Sequence, residues 1–289
     1  MTLFTLAIFV AGIWLLSFYA EHMLRGDIAH QLGRQQLAST SLLAAQIDDE
    51  LNERLTALKI VADSISASNL SEPHSIQKML ENRPLFLRDF NAGVYVTKTD
   101  GTAIASLPNS INRLGINYID RDYIDIPLKA GKAKIGQPVM GRVLSSAILG
   151  IGMPIKDTQG HVIGVLAGII DLGKPSFLDK ITDNRYGNTG YFELREPKSQ
   201  LIITSTDKRQ VMRKSTHSIN RELQAGEQAV ITVNAFGQEV LSSARYIPAA
   251  DWLIVASLPT AEAFAPIYSM ERRILLVTIL LTILAGGMT

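Results

Sequence analysis

The sequence contains no cysteine. That excludes disulfides, thiol nucleophiles and cysteine-based zinc sites together, and it fits an oxidising compartment. Net charge is nearly absent too: 28 Lys and Arg stand against 27 Asp and Glu, with no basic block or stripe. A phosphate backbone calls for such a stripe, so nucleic acid is not an expected partner. The histidines, His22, His30, His74, His161 and His217, lie far apart and show neither His-x3-His nor His-Glu-x2-His spacing, which leaves no metal site in view. Hydrolase elbows, phosphate loops and dinucleotide fingerprints are missing; Gly150-Ile-Gly152 runs into Met153-Pro154 with no helix start behind it. The chain is therefore expected to be no enzyme by itself, with no catalytic residue, cofactor or metal.

What the sequence does have is an uneven apolar content. Leu3 to Ala20 is 18 residues without a charge, roughly 27 Å as a helix against a bilayer core of about 30 Å. Ile274 to Thr289 is a second such run. Read as two membrane spans, they place about 21–273 together on one side, in the periplasm or outside. A cleaved signal peptide is the rival for the first run, but no Lys or Arg precedes it and Phe18 spoils an Ala-x-Ala site before Glu21. The second run stops at Thr289, and a cytoplasmic output domain is expected beyond it.

Between the spans, Leu24, Ile28 and Leu32, then Leu43, Ile47, Leu51, Leu55 and Leu58, recur at three and four residues, while Asp48, Asp49, Glu50, Glu53 and Arg54 fall off that stripe. The spacing predicts a stalk helix over 21–70 with one packed face, able to pair with a second copy. Ser71 to Asn82 opens with Ser-Glu-Pro, a helix start. Phe90 to Pro108 reads as two strands joined at Asp100-Gly101, with Tyr95 facing away from Val94 and Val96. A short helix over Asp120-Arg121-Asp122-Tyr123 ends at Ala130-Gly131-Lys132, and strands are predicted at 135–143, 147–155 and 161–171. The order resembles a PAS module. A similar order follows: a short helix at 174–181, strands at 190–195 and 200–205, a helix at 219–224, and strands at 228–235, 238–246 and 252–258.

The chemistry-bearing residues concentrate between Tyr118 and Leu172. Arg121 either clamps an anion or pairs with Asp120, Asp122 or Asp125. Asp171 either accepts from a ligand or caps the helix after it. Tyr95, Tyr118 and Tyr123 are either pocket walls or ordinary core.

Asp120-Arg-Asp-Tyr123, Met153 to Gly160 followed by Val162-Ile-Gly-Val-Leu166, Ile169 to Leu172, and Gly187-Asn-Thr-Gly-Tyr191 carry a resemblance over nearly the whole chain. The order of span, long helix, two tandem sheets, helix and span resembles the double Cache (dCACHE) extracellular sensor domains of bacterial transmembrane receptors. The resemblance implies an α+β chain with two PAS-like antiparallel sheet modules. Its segments are an anchor at 1–20, a stalk at 21–70, a membrane-distal ligand module at 71–172, a proximal relay module at 173–260, and a connecting helix and second span at 261–289. It implies a small ligand (amino acid, amine, purine or carboxylate), a membrane, a homodimer, and an output for which cyclic-di-GMP turnover is the first choice and a chemoreceptor or histidine kinase the alternative. In the amino-acid-binding branch Arg121 and Tyr123 would hold a carboxylate and Asp171 an ammonium. The Tyr-x-Asp pair expected near Gln137-Pro-Val139 is absent. Without a small ligand, the remaining readings are a membrane-anchored protein-interaction module and a membrane enzyme.

Overall fold

The computed structural model describes residues 2–84, 86–182, 185–215, 229–234 and 236–287. It is an α+β chain built on one long helix and two antiparallel sheets. Helix α1 (Thr2–Asp63) runs for 62 residues, about 93 Å at 1.5 Å per residue. Its stripe is buried as the spacing predicts: Leu43, Ile47, Leu51 and Leu58 lie in the core, and Leu24, Ile28, Leu32 and Leu55 pack against it. The helix packs on strands of both sheets, so one continuous core joins them.

Three short helices follow: α2 (Ala67–Ser71), α3 (Pro73–Glu81) and α4 (Phe86–Asp89). Ser66 caps α2, accepting from the Asn69 N–H, and Pro73 starts α3, where a missing N–H costs nothing.

The first sheet contains β1 (Val94–Thr97), β2 (Ala103–Leu107), β3 (Lys134–Ile135), β4 (Val139–Met140), β5 (Ala147–Lys156) and β6 (Val162–Asp171), in the order β2-β1-β6-β5-β3 with β4 also on β5. Helix α5 (Asp122–Ala130) is inserted between β2 and β3 and ends at Gly131 with φ +61°. The Asp100-Gly101 turn sits where predicted; Gly101 has φ +84° and a Cβ there would press on Ile119. The single strand predicted at 135–143 is instead two. Pro138 has no N–H to offer, and the Gln137 N–H goes to the Asp122 carboxylate at 3.0 Å.

The second sheet contains β7 (Tyr191–Arg195), β8 (Ile202–Ser205), β9 (Val230–Val233), β10 (Glu239–Ile247) and β11 (Trp252–Pro259), in the order β8-β7-β11-β10-β9. It repeats the order of the first. The helix predicted at 174–181 shrinks to α6 (Asp179–Thr182), because the Asp179 carboxylate takes the Ser176 N–H at 2.6 Å and ties that segment into a turn. The helix predicted at 219–224 lies outside the described residues. After β11 a short helix, Thr260–Ala263, leads into a C-terminal helix, Ala265–Gly287, which packs on α1. Among the described residues no helix is long and apolar enough to cross a membrane, so the expected bracketing spans are not shown.

Each sheet turns one face to α1. In the first, Val94 and Val96 of β1, Leu149 and Ile151 of β5, and Leu166 and Ile170 of β6 join the common core. The alternation of strand side chains sends Tyr95, Ile148, Ala167 and Ile169 to the other face, into a separate cluster with Tyr118 and Tyr123.

Candidate ligand pocket on the first sheet

The second face of the first sheet is shaped by glycine. A Cβ at Gly150 would collide with the ring of Tyr123, and one at Gly152 with the Tyr123 carbonyl. The bare stretch of β5 thus lets α5 lie against the sheet and sets Tyr123 over it. This is the structural role of the Gly150-Ile-Gly152 stretch. Asp122 fixes the start of α5: one carboxylate oxygen accepts from the Tyr123 N–H at 2.8 Å and the other from the Gln137 N–H.

Three phenols meet below. Tyr95 Oη and Tyr123 Oη are 3.4 Å apart, and the Tyr95 and Tyr118 rings are 4.7 Å apart between centroids. The Arg113 guanidinium sits 5.4 Å from the centre of the Tyr95 ring and donates to the Ala92 carbonyl at 2.6 Å. Arg142 reaches over Tyr118 at 5.8 Å while paired to Asp120 at 2.6 Å. Together with Leu144, Ile148 and Ile169 these residues wall a cavity of about 10 Å³, room for no more than one water and far below the roughly 300–1,000 Å³ of ordinary ligand sites.

Burial pushes the Tyr95 phenol well above its ordinary range, and raises Tyr118 and Tyr123 by the same cause. All three stay protonated near neutral pH and can donate. Burial also lowers Arg113, with the three tyrosines acting against that shift. The Tyr118 hydroxyl is buried without a hydrogen-bond partner. Leaving such a group unsatisfied costs about 1–3 kcal/mol.

Of the residues singled out in the sequence, Tyr95, Tyr118 and Tyr123 are brought together on the cavity wall. Arg121 is not on that wall; it donates to the Met140 carbonyl at 3.3 Å and lies 3.7 Å from Asp120. Asp171 shares the face of Ile169, one strand repeat further on, roughly 7 Å away. Its carboxylate accepts from the Gly173 N–H at 2.9 Å, closing the turn after β6, with Lys174 at 3.9 Å. Arg113 and Arg142 were not picked out from the sequence. The one available signal is that Arg113 has no acid within four residues on either side.

The repeated five-strand order and the inserted α5 define a tandem PAS-like chain, and the comparisons give its family. The Cache domain family (dCache_1) matches residues 20–267. The chain belongs to that family. Among solved structures it is similar to the ligand-binding domain of the amino acid chemoreceptor PctB of Pseudomonas aeruginosa PAO1, with 22% identity, 83% of this chain and 97% of that one covered, and a TM-score of 0.62. The ligand-binding domain of the Pseudomonas fluorescens chemoreceptor CtaA matches at 17% identity, covering 86% and 99%, with a TM-score of 0.65. The extracellular domain of the putative histidine kinase mmHK1S-Z2 matches at 15% identity, covering 80% and 98%, with a TM-score of 0.62. At these identities the likeness shows the fold. No individual curated protein matches the sequence.

Proposed function

We propose that this chain is the extracytoplasmic small-molecule sensor of a bacterial membrane receptor, with its ligand held on the first sheet. The observation that carries this reading is the buried, unpartnered hydroxyl of Tyr118, a residue that walls a small cavity together with the Arg113 guanidinium and two further phenols. These are donors, suited to a carboxylate or another anionic acceptor. Arg121 would take part by leaving Asp120 and the Met140 carbonyl, and Asp171 would supply an acceptor for an ammonium at the far end. The PctB and CtaA domains were solved with L-Arg and L-isoleucine, which favours amino acids within the ligand classes above. No residue of the chain is assigned a catalytic role.

Residues 3–20 and 274–289 are proposed as the membrane anchors, supported by exposed Trp14, Leu15, Leu16 and Phe18 at one end and Leu276, Leu280 and Ile283 at the other. The first sheet is then membrane-distal, residues 173–260 relay to the C-terminal helix, and α1 pairs with a second copy. Ligand shifts the balance only if it binds a closed form better than an open one. A chemoreceptor or histidine kinase output fits at least as well as cyclic-di-GMP turnover.

Calorimetry of the purified chain against amino acids, amines, purines and carboxylates tests the site. Binding should weaken about tenfold or more in Tyr118→Phe and in the Arg121→Ala, Asp171→Ala pair. No binding by the wild type, or affinity untouched by both changes, would favour the protein-interaction reading instead.

A further inference from the structure

Tyr191, Glu193 and Arg195 alternate along β7 and share one face of the second sheet, while Phe192 and Leu194 point into the core with α1. The register places Glu193 opposite Val255 and Ser205. In the first sheet, Tyr95 holds the corresponding place, opposite Ala167 and Ser106. Where the first sheet carries a phenol, the second therefore carries a carboxylate.

That carboxylate is nine-tenths buried. Glu193 Oε1 lies 2.8 Å from Arg195 Nη2, and the two side chains are 10% and 0% exposed. Arg195 also donates to the Ser215 hydroxyl at 3.0 Å. Glu193 lines a recess of about 400 Å³, walled also by Tyr191 and Ser205 at the sheet, by Asn188 and Thr189 at one side, and by the exposed Arg185 and Lys214. A buried ion pair is a poor stability device, because desolvation can outweigh the attraction between the charges. A buried acceptor facing a cavity, with cations above it, is instead what a dipolar ligand needs.

We propose that this recess is a second ligand site, taking a small zwitterion whose protonated amine meets Glu193 and whose anionic group meets Arg185 and Lys214. The site has a direct path to the C-terminal helix. The Asn188 and Thr189 N–H groups donate to the two oxygens of Glu262 at 2.7 and 2.8 Å, and Glu262 lies in the short helix that leads into Ala265–Gly287. A ligand pressing on Asn188 and Thr189 therefore acts on the start of that helix.

The test uses the whole chain carrying Tyr118→Phe and Arg121→Ala, which removes donors on the first sheet and keeps the two sites separable. Calorimetry against the common amino acids and 4-aminobutyrate should still detect a bound zwitterion. Glu193→Gln should weaken that binding roughly tenfold to a hundredfold, and Lys214→Ala about threefold. Absence of any binding in the double variant, or affinity unchanged by Glu193→Gln, overturns the site. Should Glu193→Gln fail to fold, Lys214→Ala decides: weakened binding upholds the proposal and unchanged affinity overturns it.

Discussion

The two sheets have the same strand order and both press one face on α1, yet their other faces are chemically unlike. The first is bare glycine and aromatic rings beneath a close helix, with a cavity of about 10 Å³. The second carries a buried carboxylate and guanidinium beneath a recess of about 400 Å³. One topology thus tolerates two different floors. The face toward α1 must be apolar to form the shared core; the face away from it is free to differ.

The sharpest way to break this contrast is Gly152→Ala. Its Cβ would strike the Tyr123 carbonyl and force α5 off the sheet, so a loss of about 3 kcal/mol is expected in denaturant unfolding. Ala244→Gly, a small-residue change on the second sheet, should cost only about 1 kcal/mol. Next in size is Arg113→Ala, which strips the donor from the buried Ala92 carbonyl and should cost about 2 kcal/mol. The equivalent loss at Tyr118 runs the other way. Tyr118→Phe removes a hydroxyl that has no partner, so stability should hold or rise by up to about 1 kcal/mol while ligand affinity falls. The smallest effect on stability belongs to Arg121→Ala, which removes an ion pair with Asp120 and a bond to the Met140 carbonyl, at about 0.5 kcal/mol or less.

A pH titration sharpens the second sheet. Burial holds the Glu193 carboxyl above its ordinary value of 4.5, with Arg195 acting against the shift. The folded chain therefore holds that proton more tightly than the unfolded chain. Its contribution to stability is complete below about 4.5 and is lost as pH rises through the raised value, so Glu193→Gln should flatten the decline in Tm over that window. Glu262 has the opposite sign. The N–H of Asn188, with the hydroxyl and N–H of Thr189, lowers its carboxyl. Its contribution is present above 4.5 and lost as pH falls through the lowered value, and Glu262→Ala should remove that acid-side decline.

Much of the fold was legible in the sequence because it rests on periodicity. The 3.6-residue stripe from Leu43 to Leu58 and the alternation of Tyr95 with Val94 and Val96 are local patterns, and each is borne out. Local reading failed where a distant side chain intervened. Asp122 takes the Gln137 N–H and splits a strand, and the Asp179 carboxylate turns what looked like a longer helix. The candidate site was half legible for the same reason. The three tyrosines could be picked out, but Arg113 and Glu193 look like ordinary charged residues until the fold shows them buried.

The sequence by itself determined the long helix, the two antiparallel sheets and the Cache resemblance, since apolar spacing and turn residues act within a few positions of each other. Only the tertiary structure decided which polar groups are sealed from water. It set Arg113 against Tyr95, left Tyr118 without a partner, turned Asp171 back on its own chain, and put Glu193 under an open recess. Burial depends on residues far apart in the chain meeting across a sheet, and that cannot be read from neighbours in sequence.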